Sequence, residues 1–192
     1  MSSVSIAPAP LIETQRLLLR PPALADFDQW ALCAADPAVT EFIGGPQPRP
    51  VAWRAFMAMA GSWSLAGFAM FSVLDKATGR WLGRVGPWRP DGWPGNEIGW
   101  GLAREAEGHG YAHEAAVAAV DWSFATLGWD EIIHCIDPGN RRSEALAERL
   151  GSQRLRQTRL PPPSATEVTI WGQSRAEWRA RAAQRGSGGL PR

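Results

Sequence analysis

Apolar side chains follow two different periods in the first half of the chain. Across residues 23–35 they recur every three or four positions, which predicts a helix, whereas between 68 and 85 they form short strand-like runs. The turn 75–79 ends in glycine, so the runs that flank it are expected to form a hairpin. The predicted elements of this half are a strand over 16–20, helices over 23–35 and 51–62, hairpin strands over 68–74 and 81–85, and a Pro/Gly loop over 86–96.

The second half of the chain alternates strands with helices. In the predicted strand 97–102, Ile98, Trp100 and Leu102 share one face and Glu97 lies on the other. The predicted elements are strands over 97–102, 132–136 and 168–171 and helices over 111–127, 143–150 and 174–185. This order is typical of an α+β domain around a mainly antiparallel sheet, with one βαβ-like crossover.

Length and charge indicate one globular domain with a basic end. The 192 residues carry 20 Lys and Arg against 19 Asp and Glu, a net charge of +1, which argues against a protein built to bind nucleic acid. Arginines concentrate after residue 173. We therefore expect a flexible N-terminus over 1–10, the domain over 11–178, and a basic flexible tail over 179–192.

The cysteine content and the apolar runs predict a cytoplasmic protein. Cys33 and Cys135 are the only cysteines and form no CxxC pair, which favours buried thiols over a disulfide framework. We see no signal peptide, and no run of 18 apolar residues that would make a membrane a partner. His109 and His113 lie four residues apart but lack the HExxH pattern, so no metal site is expected.

The glycine-rich turn over 107–112 is the most informative segment. Gly108 and Gly110 lack Cβ atoms, and the helix that begins near Tyr111 offers unpaired N–H groups, so the turn can bind a phosphate or pyrophosphate. The other interpretation is a tight strand ending without a ligand. A Rossmann motif would need glycine at His113, and a P-loop would need a lysine, whereas Lys76 lies in a hairpin turn.

Three segments together resemble the GNAT N-acetyltransferases, and within them the RimJ/RimL-like group that acetylates protein N-termini and small amines. They are Glu13-Thr14-Gln15-Arg16-Leu17-Leu18-Leu19-Arg20-Pro21, the region from Asn96 to Ala115 with Glu107-Gly108-His109-Gly110-Tyr111-Ala112, and Asp137-Pro138-Gly139-Asn140-Arg141-Arg142-Ser143 followed by Leu150-Gly151. The resemblance spans about residues 11–178. It implies the GNAT fold: a mixed, mainly antiparallel sheet with a splayed central strand pair, flanked by helices.

The resemblance also implies acetyl-CoA as cosubstrate. The strand 97–102 would bind the pantetheine arm through its backbone, and the glycine turn would bind the pyrophosphate. The cofactor-binding residues it implies are Trp100, Gly101, Leu102, Gly108, His109, Gly110, Tyr111, Ala112, Asn140 and Ser143. The chain departs from the family pattern at Glu107, which stands where Gln or Arg is usual. An acid there is unfavourable beside a pyrophosphate unless its side chain points away.

Acetyl transfer by direct attack in a ternary complex requires a neutral amine, and therefore a base. Glu97 is the candidate catalytic base; the alternative is a strand-end charge paired with Arg84 or Arg89. Ala147 stands where many GNAT enzymes carry a tyrosine acid. Ser143 is therefore the candidate donor to the leaving sulfur, and its alternative role is a plain helix N-cap.

Tryptophans are frequent in the first-half helices and in the loop before Glu97, the segments that usually line the acceptor site in the GNAT fold. Trp53, Trp63, Trp88 and Trp93 lie there, and Trp88 and Trp93 with Glu97 are the expected substrate-binding residues; core packing is the alternative for each. The expected acceptor is a primary amine, either a protein N-terminus or a small molecule. A catalytically weak CoA-binding or regulatory protein is the alternative function. The resemblance leaves a homodimer open.

Overall fold

A computed structural model of the chain describes residues 10–187. Its strands are β1 (Ile12–Glu13), β2 (Leu17–Arg20), β3 (Phe71–Asp75), β4 (Trp81–Trp88), β5 (Glu97–Leu102), β6 (Glu131–Ile136), β7 (Gln153–Arg159) and β8 (Glu167–Ser174). Its α-helices are α1 (Phe27–Ala35), α2 (Pro37–Thr40), α3 (Arg49–Leu65), α4 (Tyr111–Trp122), α5 (Arg141–Leu150) and α6 (Arg175–Ser187).

One eight-stranded sheet organises the described residues, in the order β1-β2-β3-β4-β5-β6-β8-β7. Neighbouring strands run antiparallel, except for β5 and β6, which run parallel. Side chains alternate along each strand, so Phe71 and Val73 lie in a core cluster with α4. Ser72 lies on the opposite face, where its hydroxyl oxygen accepts a hydrogen bond from Trp81 Nε1. The helices α1 and α3 cover that second face. This mixed sheet with helices on both faces confirms the predicted α+β fold class.

Several element boundaries differ from the prediction. β4 continues to Trp88, so the loop that was predicted to begin at residue 86 begins after residue 88. The predicted helix over 111–127 is α-helical to Trp122 and finishes with one π-helical turn. β7 was not predicted, because its sequence QRLRQTR lacks the apolar alternation of a half-buried strand.

The C-terminal boundary also needs correction. α6 extends through Ser187, so residues 179–187 are helical rather than a flexible tail. Trp178 is 2% exposed and donates a hydrogen bond from Nε1 to Asp121, which fixes the start of this helix to the domain. The predicted flexible N-terminus falls almost entirely on residues 1–9, and these and 188–192 lie outside the described residues.

The strands β5 and β6 diverge after a single paired position. Ile133 donates its N–H to the Asn96 carbonyl at 2.9 Å, and Glu97 opposite Ile133 is the one register pair between the two strands. Beyond that point a V-shaped gap opens. This is the splayed central pair that the resemblance implied.

Two side chains replace the backbone bonds that the gap interrupts. The Cys135 N–H donates to Glu97 Oε1 at 3.2 Å, and His134 Nδ1 lies 2.7 Å from the Ile98 carbonyl. Because a carbonyl only accepts, Nδ1 carries the proton. His134 Nε2 then accepts from the Ser152 hydroxyl at 3.0 Å. These two bonds satisfy polar groups near the closed end of the gap, while the rest of the β5 edge has no strand partner.

Candidate active site

A cavity of about 820 Å³ occupies the gap between β5 and β6. It brings together nine of the ten predicted cofactor-binding residues and all three predicted substrate-binding residues. The cofactor-binding set along its walls is Trp100, Gly101, Leu102, Gly108, Gly110, Tyr111, Ala112, Asn140 and Ser143, and the substrate-binding set is Trp88, Trp93 and Glu97. His109 is the exception: its ring packs on Tyr111 with the ring centroids 5.7 Å apart. The roles of these residues stay predictions.

The glycine turn has the backbone of an anion site. Gly108 and Gly110 both adopt left-handed conformations, with φ of 77° and 79°, which glycine reaches without strain. A Cβ built on Gly108 would meet no atom within 4 Å, so the space above the turn is open. Gly110 is the N-cap of α4 and carries no side chain that would bond the first N–H groups of the helix. Those groups remain available to a diphosphate.

An ion pair between distant segments holds this turn. Arg16 donates from its backbone N–H and from Nε to Glu114, at 2.8 and 2.7 Å, and from NH1 to the His109 carbonyl at 2.9 Å. Its guanidinium also lies 4.6 Å from the centre of the Tyr111 ring. Burial acts to raise the pKa of Glu114, but hydrogen bonds from Thr14 and Arg16 outweigh it and hold that pKa low. The sequence did not predict this ion pair, since Arg16 and Glu114 lie 98 residues apart.

Glu107 does not face the phosphate turn as an unpaired charge. It forms an ion pair with Arg142, from the first turn of α5. Both side chains line the cavity. The unfavourable acid noted in the sequence is therefore neutralised by a partner 35 residues away, which the spacing alone did not reveal.

Glu97 lies buried at the closed end of the gap, with 7% of its surface exposed. Trp93 Nε1 donates to its Oε2 at 2.5 Å, and the Cys135 N–H donates to its Oε1. Burial raises the pKa of Glu97 to about 7, against the opposing effect of those two bonds. The alternative of an arginine partner is wrong: Arg89 bonds Asn96, and Arg84 stacks on an indole ring.

The start of α5 presents Ser143 to the cavity. Asn140 is the N-cap, because its Oδ1 accepts the Ser143 N–H at 3.1 Å, so the alternative of Ser143 as the N-cap is wrong. The Ser143 hydroxyl oxygen accepts from Trp100 Nε1 at 3.1 Å, which leaves its own proton free to donate. Ala147, where a tyrosine is usual, is fully buried against Ile136 and Trp171.

His134 is a site residue that sequence analysis missed. It is 1% exposed, and burial lowers its pKa to about 4, although its bond to Ile98 opposes that shift. Its ring also contacts Trp100, with the ring centroids 4.8 Å apart. The available signal was one polar residue inside an isoleucine-rich strand, and such a residue needs internal partners when buried.

Of the four tryptophans, two line the cavity and two lie elsewhere. Trp88 and Trp93 line the cavity together with Phe42 and Leu160. Trp63 instead packs in the core with ring contacts to Phe71 and Trp122. Trp53 is 39% exposed and lies outside the cavity; its ring meets Phe27 edge to face and stacks on Phe56. This part of the cavity wall is therefore aromatic, through two of the four tryptophans that the sequence offered.

Within residues 10–187, the structure contains no group of three or more His, Cys, Asp or Glu side chains arranged to hold a metal ion. Over the same residues, no helix has the length and apolar character needed to cross a membrane.

The family model for the acetyltransferase (GNAT) domain matches residues 16–153. The chain belongs to the GNAT acetyltransferase family. Among curated GNAT relatives, the uncharacterized N-acetyltransferase p20 of Bacillus licheniformis is 33% identical over 144 residues, 73% of this chain and 81% of that protein. The uncharacterized protein YkkB of Bacillus subtilis (strain 168) is 38% identical over 87 residues, 44% of this chain. That match spans only 51% of YkkB.

Solved GNAT structures show the same fold. An acetyltransferase from Agrobacterium tumefaciens str. C58 is 35% identical with a TM-score of 0.76, and the match covers 86% of this chain and 95% of that one. A Vibrio cholerae protein, provisionally named a ribosomal-protein-serine acetyltransferase, is 21% identical with a TM-score of 0.71, covering 85% and 97%. That second likeness shows the fold alone.

The residues present fit the acetyl-CoA that the family implies. A left-handed glycine turn with open space above it precedes unpaired helix N–H groups at Gly110 and Tyr111. The gap beside β5 leaves backbone groups of one strand edge without a strand partner. A diphosphate and an extended amide-bearing arm are the ligand groups that such backbone surfaces bind.

Proposed function

We propose that this GNAT protein transfers the acetyl group of acetyl-CoA to a primary amine, by direct attack of the amine within a ternary complex. The observation that carries the proposal is the buried Glu97 carboxyl at the closed end of the β5–β6 gap, with a pKa raised to about 7. A base with a pKa near the working pH is half ionised there and can still hold the proton that it removes.

The donor would be held mainly by backbone groups. N–H groups of residues 108–112 would bind the diphosphate, and the edge of β5 that lacks a strand partner would bind the pantetheine arm. Acetyl-CoA supplies the activated thioester when bound. Arg16 keeps the turn in position through its bonds to Glu114 and to the His109 carbonyl.

Glu97 would prepare the acceptor. An aliphatic ammonium has a pKa near 10.4 and an α-amine one of about 8, so much of either is protonated at neutral pH. The Glu97 carboxylate takes the proton from the amine, directly or through a water molecule. Its bonds from Trp93 and Cys135 fix the orientation of the carboxylate, so little of the binding energy goes into arranging it. A backbone N–H of β5 stabilises the oxyanion that forms on attack.

Ser143 would assist departure of the thiolate. When the nitrogen–carbon bond forms, the carbon–sulfur bond breaks and the sulfur carries the electron pair. The Ser143 hydroxyl donates to that sulfur, since its oxygen already accepts from Trp100. A thiol has a pKa near 8.5, so one hydrogen bond is sufficient assistance for a group that leaves readily.

The direct test is release of free thiol from acetyl-CoA by the purified protein across a panel of primary amines, with the acetylated product identified by mass. We expect release that depends on one class of amine. Binding of acetyl-CoA without release under any amine would support the catalytically weak CoA-binding protein instead. Hydrolysis that no amine accelerates would also contradict the proposal.

A further inference from the structure

The Arg84 side chain lies across the face of β5 inside the cavity. A Cβ built on Gly101 would stand 3.6 Å from its guanidinium carbon and 3.7 Å from both terminal nitrogens. On its other side, the guanidinium carbon lies 4.6 Å from the centre of the Trp30 ring. The guanidinium is therefore held between a glycine backbone and an indole face, and Arg84 contributes to the cavity wall.

This cation has no anionic partner in the described part of the chain. The Arg84 guanidinium forms neither an ion pair nor a hydrogen bond with any of residues 10–187, whereas its backbone takes part in the pairing of β4 with β3 and β5. Arg20, by contrast, is paired through both terminal nitrogens with Asp26, each at 2.7 Å. Burial lowers the pKa of Arg84, yet an arginine stays protonated in proteins. An uncompensated charge in a half-buried site costs stability, and an anionic ligand would compensate the charge of Arg84.

Arg84 and Glu97 face the same chamber. Positions 97, 99 and 101 share one face of β5, because side chains alternate along a strand. The Glu97 Oε1 lies 3.6 Å from a Cβ built on Gly99, while the guanidinium of Arg84 lies beside the one built on Gly101. These two positions are about 6.6 Å apart along the strand. The Met70 methyl group fills the space over Gly99, so the Glu97 carboxyl and the Arg84 cation line one cavity with that methyl group over the strand between them.

We propose that Arg84 binds a carboxylate of the acceptor, so that the acceptor is a primary amine that also carries a carboxylate, such as an amino acid. The inference rests on the proposed function, because it names the substrate class of that same site. The planar guanidinium offers two parallel N–H donors that match a carboxylate. The amine of the same molecule then lies toward Glu97, and a side chain of the acceptor meets Trp88 and Trp93.

The experiment compares matched amines on the wild-type protein. Alanine, leucine and phenylalanine are each tested against their amides and their decarboxylated amines, and kcat/KM is corrected for the fraction of neutral amine. We expect at least one amino acid to exceed its amide and its decarboxylated amine by 10-fold or more. Acetylation of amines without any preference for the carboxylate overturns the inference and leaves the proposed function standing. No acetylation of any amine contradicts the proposed function itself.

Variants assign the preference to Arg84. Arg84→Gln should remove it by lowering kcat/KM for the amino acid alone, with the decarboxylated amine and the Kd of CoA unchanged. Arg84→Lys keeps the positive charge but lacks the two parallel N–H donors, so it should retain part of the preference for the carboxylate. If Arg84→Gln fails to fold, the lysine variant still tests whether Arg84 produces the preference. Arg80→Gln, an exposed arginine beside the same strand, is the matched control. A preference that survives Arg84→Gln, or a loss confined to CoA binding, overturns the assignment.

Discussion

Glu97 Oε1 accepts the backbone N–H of Cys135 at 3.2 Å, across the point where β5 and β6 separate. A side chain of β5 thus replaces the β5 backbone as the partner of β6. The neighbouring Ile98 carbonyl is likewise satisfied by His134 instead of by the opposite strand. The position of the proposed base and the opening of the cleft are therefore one structural feature, since moving the Glu97 carboxylate would leave a strand N–H unpaired.

Glu97→Gln should lower kcat by about 10²–10⁴-fold, the range for loss of a general base, while the Kd of acetyl-CoA stays the same. Glutamine keeps one oxygen, which can accept the Cys135 N–H, so the opening between β5 and β6 should keep its shape, while its amide nitrogen cannot accept the Trp93 N–H that Oε2 accepts in the wild type. In the wild-type protein, kcat/KM should rise as the pH passes upward through about 7, because the carboxylate must be ionised to act. The variant should lack that step.

Glu131→Gln is the matched control for this prediction, since Glu131 is an exposed carboxylate at the start of β6. It should leave both kcat and the pH profile unchanged. Wild-type turnover of Glu97→Gln across pH 6–9 would remove Glu97 as the base.

Patterns within a few residues predicted the strand face of Glu97, the glycine turn and the start of α4 correctly. Their partners were not readable from the sequence. Arg16 bonds Glu114 across 98 positions, and periodicity carries no information about such a pair. His134 was overlooked for the same reason, because its bonds reach Ile98 and Ser152 through tertiary structure.

Boundary errors have local physical causes. β4 extends to Trp88 through Pro87, a residue that usually marks the end of a strand. β7 forms from a polar segment at the edge of the sheet, where β8 supplies its hydrogen bonds without a need for apolar side chains. The tail predicted from residue 179 overlapped the helix predicted over 174–185, and the helix is the correct part of the two predictions, because α6 continues beyond the buried Trp178 to Ser187.

The stability of the wild-type protein should be nearly flat between about pH 5 and 6. Glu97 has its pKa raised from 4.5 to about 7, so the folded state holds an extra proton and stability falls as the pH rises through that window. His134 has its pKa lowered from 6.5 to about 4, so there the unfolded state holds the extra proton and stability rises with pH. Each group changes the unfolding free energy by about 1.4 kcal/mol per pH unit, and the two changes have opposite signs, so they cancel.

Urea titrations at pH 4, 5, 6, 7 and 8 would check this cancellation in two variants. Glu97→Gln should expose the histidine effect, with the unfolding free energy falling by about 3 kcal/mol as the pH drops from 6.5 toward 4. His134→Asn should expose the opposite slope, with stability falling as the pH rises from 4.5 to 7. Parallel curves for wild type and both variants would contradict the assigned protonation states.

Arg142→Ala should weaken acetyl-CoA binding about 5-fold, or roughly 1 kcal/mol, because it leaves the Glu107 carboxylate unpaired beside the diphosphate turn. Glu107→Gln removes the repulsive charge and should bind at least as tightly as wild type. The double variant should recover most of the loss, and the differences should shrink in 0.5 M salt. Calorimetry of the four proteins measures the coupling. An equal loss in the single and double variants would instead mean that Arg142 binds the cofactor itself.

Ser143→Ala should lower kcat about 10-fold and leave both the Kd of acetyl-CoA and the unfolding free energy close to wild type. The kinetic loss corresponds to about 1.4 kcal/mol, the scale of one hydrogen bond to the departing sulfur. Stability should hold because Asn140 caps α5, whereas Asn140→Ala should cost about 1 kcal/mol of unfolding free energy. Ser143→Thr keeps the hydroxyl and should restore much of the rate. Unchanged kcat in Ser143→Ala would show that the thiolate leaves without assistance, and a loss of stability equal to that of Asn140→Ala would return Ser143 to a purely structural role.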